Sequence, residues 1–185
     1  MKTLATAERT GSVCRGSGAA PASVDWHSWF RHGGVGVGAS GWSYRVPYQP
    51  DFGAALKALQ VRVFEDGEYY WHGEWAPDRT TLPATVKELW SDEWTQEAGT
   101  HSVLDVDRVV DVDDEDDFGT VRPLSDVEVP HYFGTVRPTE ADFEGAYREG
   151  TADTSVGERW TGRCTVLYSP AGHPVEIAFW GVSGD

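Results

Sequence analysis

Six carboxylates fall within seven residues, Asp111-Val112-Asp113-Asp114-Glu115-Asp116-Asp117, and Asp105 and Asp107 extend the acidic stretch upstream. Carboxylates at this density could hold a hard cation or meet a cationic partner. A calcium loop wants Gly at its sixth position and an acid at its twelfth. Counted from Asp111 those positions hold Asp116 and Arg122. The template fails and leaves at most a loose cation site beside the plain reading, a solvated acidic loop. We assign no metal or cofactor, and we take Asp105, Asp107, Asp111, Asp113, Asp114, Glu115, Asp116 and Asp117 as one acidic partner-binding face.

Two further sets of residues could do chemistry. His72 and Glu74 lie two apart in Tyr69-Tyr70-Trp71-His72-Gly73-Glu74-Trp75. On a strand they share one face, as an acid/base pair or half of a metal site would. No other His, Cys or carboxylate at ligand spacing completes them, and the plainer reading is polar side chains on a solvent face. Arg122 and Arg137 occupy the same place in two copies of Phe-Gly-Thr-Val-Arg-Pro, at 118–123 and 133–138. Matched guanidinium groups could clamp a carboxylate or phosphate. The plainer reading pairs them with the chain's own acids, at 113–117 or at Glu140 and Asp142. Cys164, between Arg163 and Thr165, reads as a buried thiol rather than a nucleophile. Neither a Gly-x-Ser-x-Gly elbow nor a phosphate-binding Gly-x-x-x-x-Gly-Lys loop occurs.

The elements that would carry these residues follow from periodicity. Bulky residues alternate from Trp42 to Tyr48, which predicts a strand. Asp51 is a helix N-cap, Phe52, Leu56, Leu59 and Val63 make one helical face, and Gly67 is the C-cap. Tyr69–Trp75 predicts an aromatic strand. Pro83 begins a second helix running to about Asp92. His101–Val112 alternates Leu104, Val106, Val110 and Val112 against Asp105, Asp107 and Asp111, the pattern of a half-buried strand.

The repeated hexapeptide predicts one backbone unit built twice, each copy feeding a capping-box pattern (Ser125 to Glu128, Thr139 to Asp142). Pro130 should stop the first of these helices almost at once, whereas the second runs to about Glu149. Trp160–Tyr168 and Val175–Gly181 form a closing hairpin. The order predicts an α+β fold, a mainly antiparallel sheet with two or three helices packed on it.

The Gly/Ala/Ser-rich residues 1–40 read as a flexible leader and residues 41–185 as a single acidic domain. The chain has 185 residues and a net charge of −15. Beyond residue 40 only 11 Lys and Arg stand against 28 acids. Nucleic acid and anionic membrane are thereby disfavoured, because the phosphate term has the wrong sign. No apolar run is long enough to span a bilayer. Two cysteines make no disulfide framework, which fits a reducing, cytoplasmic setting.

Gly41-Trp42-Ser43-Tyr44 leading into Tyr48-Gln49-Pro50-Asp51, the Phe-Gly-Thr words and Glu176-Ile177-Ala178-Phe179-Trp180-Gly181 together resemble a group of small uncharacterised actinobacterial proteins, over residues 41–185. The resemblance implies that residues 1–40 are an added leader, and it carries no activity or site residues. From charge, size and the missing catalytic motifs we expect a non-enzymatic interaction domain, of inhibitor or immunity type, that binds a basic protein partner. The alternative is a small ligand-binding domain or enzyme using a cleft of His72, Glu74, Arg122 and Arg137. Oligomeric state is not legible.

Overall fold

The computed structural model describes residues 40–71 and 83–184. Residues 1–39 of the expected leader and the His72/Glu74 pair lie outside these residues.

β5 (Pro174–Val182) shows why the chain folds as it does. Ile177 and Phe179 point into one apolar cluster, Ala178 and Trp180 into another, and all four are fully buried. A strand apolar on both parities must be covered on both faces. On one face lies α1 (Phe52–Asp66), which contributes Leu56, Leu59 and Val63. Its ends are those expected: Asp51 Oδ1 accepts the Ala54 amide at 3.0 Å, and Gly67 closes the helix with φ +70. On the other face lie α4 (Glu128–Phe133) and α5 (Glu140–Arg148), which bring Phe133 and Phe143 against Trp180. The Trp180 indole N–H donates to the Ala152 carbonyl at 3.0 Å, so the ring is satisfied as well as buried.

The fold is α+β, but the sheet is mixed. β1 (Gly41–Pro47) pairs antiparallel with β5, and β5 with β4 (Thr161–Tyr168). β4 then pairs parallel with β3 (Thr120–Pro123), and β3 with β2 (Arg108–Val109), in the order β1-β5-β4-β3-β2. The expected mainly antiparallel sheet is corrected by α4 and α5. They form a crossover between β3 and β4, and such a connection returns the chain in the same direction. β4 and β5 match the predicted hairpin.

Trp42 sets a tight constraint on this sheet. Its ring lies over the cross-strand pair Gly162 and Gly181, and a Cβ at Gly181 would sit 2.3 Å from the indole. Only glycine leaves room there.

Other expectations fail for local reasons. Tyr69–Trp71, the described part of the expected aromatic strand, is not a strand: the Phe64 and Tyr69 rings stack, and the Tyr70 amide turns to the Thr100 carbonyl. The helix expected from Pro83 to Asp92 is two pieces, α2 (Val86–Leu89) and α3 (Glu93–Ala98). Thr85 and Asp92 each cap a new start, and Trp90 donates its indole N–H to the Leu104 carbonyl between them. The strand expected over 101–112 shrinks to β2, because Ser102 caps a 3-10 turn at Val103–Asp105. Pro130 does not stop α4. It sits in the first turn, where no amide is required, and the helix runs on to Gly134.

The repeated hexapeptide builds one unit only in part. Gly119 and Gly134 share a left-handed conformation, φ +73 and +70. The first copy then pairs along β4 and becomes β3, whereas the second meets only the end of β4, where the Pro138 carbonyl accepts the Tyr168 amide at 2.8 Å, and continues as bends. Phe118 is 61% exposed and Phe133 is 9% exposed. Downstream the two copies agree again. Ser125 and Glu128 exchange side-chain and backbone hydrogen bonds, and Thr139 and Asp142 form a capping box.

Candidate partner-binding face

The acidic loop is anchored by cations on the sheet. Arg122 and Arg163 are register partners across β3 and β4 and share one face. Two guanidinium groups side by side repel, and Asp116 relieves this. Its two oxygens accept from Arg163 Nη1 and Nη2 at 2.7 and 2.6 Å, and its Oδ1 lies 3.8 Å from Arg122 Nε. The Arg163 side chain is 4% exposed, so this ion pair is effectively internal. Arg122 turns its fork on Glu128, at 2.9 and 2.7 Å, and reaches the Val112 carbonyl at 3.3 Å. The Arg122 guanidinium, helped by hydrogen bonds from Ser125, holds the Glu128 carboxyl down at about 2.

The loop's feet are fixed too. The Gly119 carbonyl accepts from the Asp107 and Arg108 amides, and Arg108 Nη2 meets Asp117 Oδ2 at 3.1 Å. Asp114 accepts the Asp111 amide at 3.0 Å, which closes the turn. After these bonds Asp111, Asp113, Asp114 and Glu115 stand exposed, and among the described residues no cation pairs with them. Their mutual repulsion is held in place by the Arg anchors beneath.

Two members of the expected face have other roles. Asp105 is 2% exposed and does not belong to the surface. Its Oδ1 accepts the Thr100 amide and hydroxyl at 2.6 and 2.7 Å, and its Oδ2 accepts the Ser183 hydroxyl at 2.5 Å. Burial pushes its carboxyl up, and the Ser183 and Thr100 hydrogen bonds oppose that rise. It ties the 99–105 segment to the end of β5. Alternation put it outward, but the chain turns at Ser102 and the strand parity is lost. Asp116 is the second case: both of its oxygens face inward to Arg163. Asp107, Asp111, Asp113, Asp114, Glu115 and Asp117 remain exposed as expected.

Arg122 and Arg137 do not meet. Arg137 lies over the Tyr168 ring, 5.8 Å from its centroid. Arg122 is level with Arg163, five residues earlier on β4, or about 16 Å away at 3.3 Å per residue. The four-residue cleft is therefore not assembled by its two described members. Cys164 is a free, fully buried thiol, and burial pushes its pKa well up, which opposes nucleophilic use. Among the described residues no three His, Cys, Asp or Glu side chains converge as metal ligands would.

Sequence reasoning missed Arg163. Arg163 had a signal: a lone cation in the otherwise apolar and small segment 161–167 must find an acid if that strand is internal. It also missed an open groove of about 560 Å³ beside the loop. Val61 and Phe64 of α1, Val86, Trp90 and Phe118 supply its apolar lining, with Asp107 and Arg108 at the loop's foot. These residues come from four separate stretches of chain, and no spacing rule joins them. No protein-family model matches the chain, and no curated protein or solved structure matches it.

Proposed function

We propose that this protein is a non-enzymatic interaction domain that binds a basic protein partner through the loop at 111–117 and masks that partner's cationic surface. One observation carries the reading. The loop's inner acid is committed to Arg163 while four carboxylates are held outward with no described counter-charge. A preformed loop loses less conformational entropy on binding than a free one, and its field steers a cationic partner toward it. The paired arginines support the same reading as anchors of the acidic face rather than as a substrate clamp.

The test uses a capped decalysine peptide, titrated calorimetrically at 50 and 300 mM salt. Neutralising Asp111, Asp113 and Glu115 together (Asp111→Asn, Asp113→Asn, Glu115→Gln) removes three outward charges, each worth about 0.6 kcal/mol at ~7 Å in water. Affinity at low salt should fall about 20-fold. A control removes three exposed charges elsewhere (Glu93→Gln, Glu97→Gln, Asp126→Asn) and should cost less than about threefold, since screening dilutes distant charges. Equal losses in the two triple variants would show that net charge, not the loop, binds the peptide.

A further inference from the structure

We infer that the groove beside the acidic loop is the second half of the same docking surface, and that it takes one or two large apolar side chains flanked by lysines or arginines on the partner. The inference rests on the proposed loop reading and adds the chemistry of the segment recognised.

The loop and the groove are structurally continuous. Asp107, Arg108, Phe118 and Gly119 line the groove, and the same residues are the loop's two feet. A ligand seated against Phe118 therefore lies next to the chain that carries Asp111 to Glu115. Phe118 is 61% exposed and Val61 is 55% exposed. Beneath Phe118 runs an aromatic array: its ring lies 5.3 Å from Trp160, which lies 5.6 Å from Trp90. Aromatic rings left open to water beside a preformed concavity are the usual composition of an anchor site. The volume of about 560 Å³ suits side chains rather than a whole folded element.

Charge decides the occupant. On the rim Arg108 is neutralised by Asp117 and Asp107, and Lys57 is balanced in number by Glu65. The rim itself is thus nearly neutral, and the acidic loop sets the local sign. Cations beside the apolar anchors meet that loop, and carboxylates there would be repelled. A second copy of this chain is a poor occupant, since each carries a net charge of −15.

The experiment compares two capped hexapeptides of equal charge, Lys-Lys-Phe-Leu-Lys-Lys and Lys-Lys-Ser-Ser-Lys-Lys, by NMR titration. The apolar peptide should bind about tenfold tighter, the value expected for partial burial of two side chains. That gap should vanish in the double variant Phe118→Ser, Val61→Ser, whose sites are exposed enough to leave folding intact. The serine peptide should be unaffected by that variant and weakened by the loop triple variant. If the gap is absent, or survives the double variant, the groove inference is overturned while the loop reading stands. If the loop triple variant leaves the serine peptide unchanged, the loop reading itself fails. If the free protein dimerises and the double variant abolishes the dimer, the groove's occupant is a second copy and the inference is wrong.

Discussion

Replacing Asp116 by alanine should be the most damaging single change in the acidic stretch. Asp116 is the only carboxylate hydrogen-bonded to Arg163 among the described residues, through bonds of 2.7 and 2.6 Å. Removing it leaves a guanidinium that is 4% exposed without a counter-charge. Breaking a buried pair from one side costs about 3–5 kcal/mol. Asp116 is itself 22% exposed, so water can enter where its carboxylate was, and about 3 kcal/mol is the better figure. For a domain of this size that lowers Tm by roughly 6–12 °C. Asp113→Ala, a few residues away and fully outside, should stay within about 0.5 kcal/mol of the parent.

The decisive comparison is the double variant Asp116→Ala, Arg163→Leu. With both members of the pair gone, less than half of the single-variant loss should remain. The coupling between the two sites should then exceed about 1.5 kcal/mol. Urea unfolding followed by tryptophan fluorescence measures all four members of the cycle. A loss below 1 kcal/mol in Asp116→Ala, or one that deepens when Arg163 is also removed, would refute the anchoring argument.

Three further outcomes follow from the same geometry. Glu128→Gln should cost roughly 1–2 kcal/mol at neutral pH, after allowance for solvent around the pair. The folded Glu128 titrates at about 2, below its ordinary value of 4.5, so its stabilisation is present above pH 4.5 and is lost as pH falls toward 2. The parent and variant stability curves should therefore converge in acid, which chemical unfolding across pH would show. Asp105 has the opposite sign: burial raises its pKa above 3.8, so the native state holds its proton more tightly, and this contribution favours folding at low pH and fades as pH rises. Asp105→Asn should lose stability relative to the parent as pH falls from 7 toward 4, and a gap that stays constant with pH would contradict the assignment. Gly181→Ala drives a methyl group into the Trp42 ring and the Thr161 carbonyl, 2.3 and 2.5 Å away, and should cost about 3 kcal/mol in thermal or urea unfolding.

Local rules made part of this molecule legible. Asp51, Gly67, Thr139 and the 160–181 hairpin were placed by capping, turn chemistry and period, because those signals involve neighbours in sequence. Pairing direction was not legible: β3 and β4 are parallel only because α4 and α5 intervene and pack on one face. Alternation misled at Asp105, since one side-chain cap at Ser102 turned the chain and buried an acid that the pattern had placed outside. The identical hexapeptides misled for the opposite reason. Their local preference is the same at Gly119 and Gly134, and pairing along β4 rather than at its end decides which copy becomes a strand. Within the candidate face, the acidic loop was visible as composition. Its anchor Arg163 lies 47 residues from Asp116 and could be joined to it only by the fold.

NMR mapping of decalysine on the labelled protein bears most directly on the central claim. The account predicts that amide shifts concentrate between Asp111 and Phe118, saturate with one peptide bound, and collapse at 300 mM salt. Shifts spread evenly over the exposed acids of α1, α3 and α5, with the loop no more affected than they are, would contradict it.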